Sequence, residues 1–121
     1  MEFQDSFKVY RDRTKTFSLE IIKLINELPK SNITYTLGNQ LLRSATSVGA
    51  NYRAACIARS VRERYSKMCI VVEEADETCY WLDLLISSEI SNSEQLKHLF
   101  KEANELSRIM SSFRLIIKKK L

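Results

Sequence analysis

Residues 60–87 read SVRERYSKMCIVVEEADETCYWLDLLIS, and this stretch decides the fold. Its apolar positions Val61, Tyr65, Met68, Val72, Ala75, Cys79, Leu82 and Ile86 recur in steps of four and three. That spacing keeps one face of an α-helix against a partner. Ser60 and Glu63 have the spacing of a capping box, in which the Ser hydroxyl accepts from the Glu63 N–H while the Glu side chain reaches back. Nothing in these 28 residues is Gly or Pro. A long, cleanly started helix is the consequence.

The same period extends to both sides. Upstream, Phe3, Phe7, Tyr10, Thr14, Phe17, Ile21, Leu24 and Leu28 form one series, ended by Pro29 and the turn residues Lys30-Ser31-Asn32. A second series, Leu37, Leu41, Ser44, Val48, Tyr52 and Ala55, runs through a segment rich in Ala, Ser and Gly, so its helix can approach neighbours closely. Downstream, Ser91-Asn92-Ser93-Glu94 offers another capping box before Leu96, Leu99, Ala103, Leu106, Met110, Phe113 and Ile117. The expectation is an all-α, antiparallel up-down-up-down four-helix bundle forming one domain over residues 1–121, with helices at about 4–29, 34–59, 61–87 and 92–119.

Composition agrees with that reading. The chain has 121 residues with only 2 Gly and 1 Pro, too few for the turns of an all-β fold or for a disordered chain. No apolar run reaches the ~18 residues of a membrane span, and the N-terminus carries no signal-peptide pattern, so a soluble, cytoplasmic protein is expected. Cys56, Cys69 and Cys79 form no C-x-x-C pair and read as small hydrophobes on helix faces.

Catalytic patterns are missing. His98 is the single histidine, so a di-iron bundle site cannot be built, and no Gly-flanked nucleophile, phosphate loop or zinc spacing occurs. No enzyme, metal or cofactor is expected. Charge is more informative. Residues 31–60 hold three basic residues and no acid, whereas residues 61–90 hold seven acids. With the turn centred on Ser60, positions summing to about 120 face each other. Arg43 then stands opposite Glu77, with Glu73 and Glu74 nearby, as a semi-buried ion pair that marks register.

Two surfaces suggest partners. The 61–87 helix carries apolar residues beyond its main series (Ile70, Val71, Tyr80, Trp81, Leu84 and Leu85), and a second stripe points to self-association, with Tyr80, Trp81 and Leu84 as interface candidates. The last helix supplies Lys97, Lys101, Arg108, Arg114, Lys118, Lys119 and Lys120, candidate contacts for RNA or DNA phosphates alongside Lys8, Arg11 and Lys15. The net charge of +4 is compatible with that role. The alternative is a structural scaffold or protein-partner module with no nucleic-acid role, its bases serving solubility.

Two motifs carry a resemblance. QLLRSATSVGANYRAAC at 40–56, followed by Ala58-Arg59-Ser60, and KMCIVVEEADETCYWLDLL at 67–85 together resemble the bacterial 23S rRNA-intervening sequence proteins, a four-helix-bundle family. The matching motif positions are Arg43, Ser44, Asn51, Tyr52, Arg59, Lys67, Glu74, Glu77 and Trp81. Ala54 departs from relatives that carry Glu there. The resemblance implies a ring-like homopentamer with no established enzymatic activity. It also implies kinship with the accessory protein of diversity-generating retroelements, a pentamer that binds a reverse transcriptase and nucleic acid.

Overall fold

Three of the four long helices begin where a serine side chain supplies the missing acceptor. The computed structural model describes residues 3–121. A short 3-10 helix, Phe3–Ser6, leads into α1 (Phe7–Glu27), followed by α2 (Asn32–Cys56), α3 (Val61–Ser87) and α4 (Glu94–Lys118). Ser31, Ser60 and Ser93 cap α2, α3 and α4, accepting from the N–H of Thr34, Glu63 and Leu96. The Glu63 carboxylate reaches one residue further back than a standard capping box, to the Arg59 N–H at 3.0 Å. Before α4 the capping serine is Ser93, not Ser91. Ser91 instead accepts from the Ser93 N–H within the loop, so the helix starts two residues later than the motif suggests.

The joins span residues 28–31, 57–60 and 88–93, and neighbours in sequence pack as antiparallel neighbours in space. Arg43 meets Glu74 and Glu77 between α2 and α3, and Arg13 meets Glu102 between α1 and α4. Between α1 and α2, Gly38 sits against Ile25 and Gly49 against Thr14, so positions summing to 63 face each other. The fold is an all-α four-helix bundle.

Its core takes the expected faces of three helices: Phe17, Ile21 and Leu24 of α1, Leu41, Val48 and Tyr52 of α2, and the whole series from Leu96 to Ile117 of α4. In α3 the buried seam is turned relative to the heptad. Met68, Ala75 and Leu82 are shared, but Val71, Thr78 and Leu85 are buried, while Val72, Cys79 and Ile86 only flank the core and Val61 is exposed. The reason is a polar pair. Thr78 and Ser44, both fully enclosed, lie within 3.0 Å of each other across the α2–α3 contact, and the Thr78 hydroxyl is 2.7 Å from the Glu74 carbonyl. A buried hydroxyl with such partners is tolerated in a core. Apolarity alone therefore mislocates the seam by one residue.

One end of the bundle is closed by aromatic rings. Phe3, Phe7, Tyr10, Tyr52 and Phe113 meet edge to face, with centroids 5.0–6.4 Å apart. The Ser6 and Tyr52 hydroxyls share a 2.6 Å hydrogen bond beneath them. Arg64 of α3 lies over Phe3 and Phe7 and donates to the Ala55 and Cys56 carbonyls, satisfying the open end of α2.

Candidate functional site

Two regions collect the residues that the sequence marks. The first is the outer seam between α2 and α3. Arg43 donates to Glu74 at 2.9 Å and to Glu77, and the Trp81 indole N–H donates to the same Glu77 oxygen at 3.1 Å. The Arg43 guanidinium, then the Trp81 N–H, hold the Glu77 carboxyl below its usual range. Glu73, proposed alongside these two acids, is exposed and takes no part in the pair. Arg43 itself is 51% exposed, so the pair fastens the rim of the seam and not its interior. Beside it, Tyr80 stands exposed and packs edge to face on half-buried Trp81, with Leu84 half-buried one turn on. Val71 and Leu85 belong to the core, so the second apolar stripe is narrower than the sequence suggests.

The second region is the end of the bundle closed by the aromatic rings. Antiparallel order brings the start of α1, the end of α2, the start of α3 and the end of α4 together there. Lys8, Arg11, Arg13 and Lys15 come from α1, and Arg53 with Arg59 from the end of α2 and its loop. Arg62, Arg64 and Lys67 open α3, and Arg114 with Lys118, Lys119 and Lys120 closes α4. Among the described residues, the acids at that end are Asp5, Asp12 and Glu63, with Glu102 and Glu105 at the level of Arg13. Most of the other acids, Glu20, Glu27, Glu73, Glu74, Asp76, Glu77, Asp83, Glu89 and Glu94, lie toward the other end. The bundle is therefore electrically polar along its axis.

This arrangement redistributes the candidate contacts of α4. Arg114 and the three C-terminal lysines sit at the basic end. Lys101 and Lys97 sit about 20 and 25 Å from Arg114 along the helix, further still from the lysines, and Lys97 is 3.5 Å from Glu94. Arg108 is exposed between them. Sequence order hid the contributions of Arg62 and Lys67, because α3 as a whole is acidic, and those of Arg53 and Arg59, because charges are sparse along α2 and its loop. Folding the hairpin separates what the averages combine.

Not every cation at the basic end is available. Arg13 forms a fork on Glu102, at 2.8 and 2.7 Å, and reaches Glu105 at 3.0 Å. These bonds raise the Arg13 pKa and hold the Glu105 carboxyl below its usual range. This clasp between α1 and α4 was not legible in the sequence, since no motif marks it. Arg64 is committed to the α2 carbonyls. The remaining chemistry is quiet. His98 is exposed and 3.7 Å from Glu20. Burial pushes the Cys79 thiol up to about 11 and raises that of Cys56. Among the described residues, no three His, Cys, Asp or Glu side chains stand together as a metal site. None of the described helices is long and apolar enough to cross a membrane.

A helical bundle with one basic end, a clasped α2–α3 seam and an indole beside it defines the class of protein at hand, and comparison with known proteins gives its family. The chain belongs to the 23S rRNA-intervening sequence protein family, whose model matches residues 6–112. Among solved structures it is similar to a protein of unknown function from the S23 ribosomal protein family of Bacteroides thetaiotaomicron. The two are 34% identical, with a TM-score of 0.81, covering 93% of this chain and 98% of that one. Comparison with curated proteins gives no significant match.

Proposed function

We propose that this protein is a non-catalytic, self-associating bundle that holds nucleic acid by its phosphates at the basic end. The observation that carries the reading is the gathering of basic side chains from all four helices at one end, where the described acids are fewer and two of them, Glu102 and Glu105, are taken up by Arg13. Phosphate contacts of this kind supply affinity without reading bases. Nothing in the chain matches a base-reading motif, so binding is expected to tolerate sequence.

Assembly enters through α3. Tyr80, Trp81 and Leu84 form an aromatic and aliphatic strip on its outer side, the composition favoured in interfaces. A ring of copies, with five the expected number, would repeat the basic end around one rim and strengthen an otherwise modest net charge. The same strip supports the second reading, a scaffold for a protein partner without nucleic acid.

The test is binding of labelled single-stranded RNA and DNA of unrelated sequences across a salt series. Similar affinities that fall linearly with the logarithm of salt, and weaken uniformly when Lys118, Lys119 and Lys120 become Gln, are expected. No binding to any strand at low salt overturns the nucleic-acid reading in favour of the scaffold.

A further inference from the structure

An open cleft runs between α1 and α2 at the basic end. Its volume is about 390 Å³, within the ~300–1,000 Å³ of small-ligand sites, and it is lined by Arg11, Lys15, Ser18, Thr46, Gly49 and Arg53 among others. The cleft exists because the helices meet over short side chains. A Cβ on Gly49 would stand 3.3 Å from the Thr14 hydroxyl, so anything larger would require Thr14 to give way, and Ala50 leaves the outer wall low.

Three cations face this trough. Arg11 and Arg53 stand level across it, since facing positions sum to about 63, and Lys15 is one turn from Arg11. All three are exposed and, among the described residues, none pairs with a carboxylate. The one acid at the rim, Asp12, is 3.4 Å from Lys8. Like charges one helical turn apart or across a narrow trough repel, and an anion between them removes the repulsion. Arg also offers the planar fork that matches phosphate geometry. The hydroxyls add no competing specificity: Ser18 donates to the Thr14 carbonyl and Thr46 to that of Leu42.

We propose that this cleft is a phosphate-binding site, and that its ligand is the phosphodiester backbone of a nucleic-acid strand, gripped between Arg11 and Arg53 with Lys15 alongside. The assignment rests on the nucleic-acid reading above and gives it a location distinct from the C-terminal lysines. It also explains why the trough is left with unbalanced charge.

The experiment uses the full chain and a labelled single-stranded oligonucleotide, with inorganic phosphate as a second probe. Arg11→Gln/Arg53→Gln is expected to weaken strand binding at least about tenfold at low salt. It should also reduce the salt slope by roughly 1.4, the value for two phosphates of a single strand. Ala50→Glu, which places a carboxylate at the cleft on an exposed helix position, is expected to do the same with helicity and melting unchanged. Millimolar inorganic phosphate should fail to displace the strand. If both cleft variants bind like the parent while the Lys118–Lys120 variant loses affinity, the cleft assignment is overturned and the wider reading stands. If the parent binds no strand, both fall. If phosphate binds in the cleft and the strand does not, the strand as ligand is overturned.

Discussion

Gly38 and Gly49 show how a single hydrogen in place of a methyl is decided by its surroundings. Both lie inside α2, where Gly is less favourable than Ala by about 0.8–1.0 kcal/mol. A Cβ at Gly38 would rest 3.4 Å from the Ile25 Cγ2, at the near edge of ordinary van der Waals contact. At Gly49 it would press on Thr14, which is buried and whose hydroxyl is held by the Tyr10 carbonyl at 2.6 Å. Gly38→Ala is therefore expected to raise stability by about 0.5–1 kcal/mol, whereas Gly49→Ala gains nothing or loses. Chemical denaturation of the two variants checks this contrast, and equal gains would mean Thr14 can move. At this scale the sequence is eloquent about caps and silent about forks. Ser31 and Ser60 announce themselves by type and position, while Arg13 and Glu102, 89 residues apart, find each other only through topology.

The elements carry their own strain and their own pH dependence. Glu89, just past the end of α3, has φ of 62°, a left-handed conformation normally given to Gly at that position. Glu89→Gly is expected to stabilise the bundle by about 1 kcal/mol, read as a raised denaturation midpoint with an unchanged slope. The α2–α3 seam responds to acid. Because the Glu77 carboxyl is held below its ordinary value of 4.5, its contribution is present above that pH and is lost as pH falls through the lower folded value. The melting temperature of the parent minus that of Arg43→Ala should thus stay constant from pH 7 to about 4.5 and shrink below it. A difference that persists in strong acid would assign the effect of Arg43 to packing. Helix existence and three of the four core faces were legible from apolar spacing. The α3 face was not, because Thr78 is polar by type and becomes a core residue only through Ser44, on another helix.

Across the whole molecule, the pairing of opposite chain directions matters more than any local motif. The reading from sequence placed the basic surface along α4, but antiparallel packing divides that helix between a basic and an acidic end and recruits α2 and α3 to the former. No window along the chain could display this, since the contributing residues are brought together by three turns. The same holds for assembly: the strip at Tyr80 is narrower than the sequence implied, yet it remains open on the outer side of α3. Light scattering is expected to give a multiple of the 14.1 kDa chain, and Tyr80→Glu is expected to return it to the monomer without loss of helicity. A parent that is already monomeric at micromolar concentration removes the assembly proposal.

The single Trp81 gives the molecule an optical gauge of its own joinery. Its indole N–H is tied to the carboxylate that also receives Arg43, so the emitting ring and the fastening between two helices share one oxygen atom. Loosening that fastening, by acid or by substitution, changes the charge and hydrogen bonding felt by the fluorophore while the rest of the chain stays folded. Covering the neighbouring Tyr80 surface by another copy changes its access to water instead. Colour and quenching of one ring can therefore separate events within a subunit from events between subunits, with no label added.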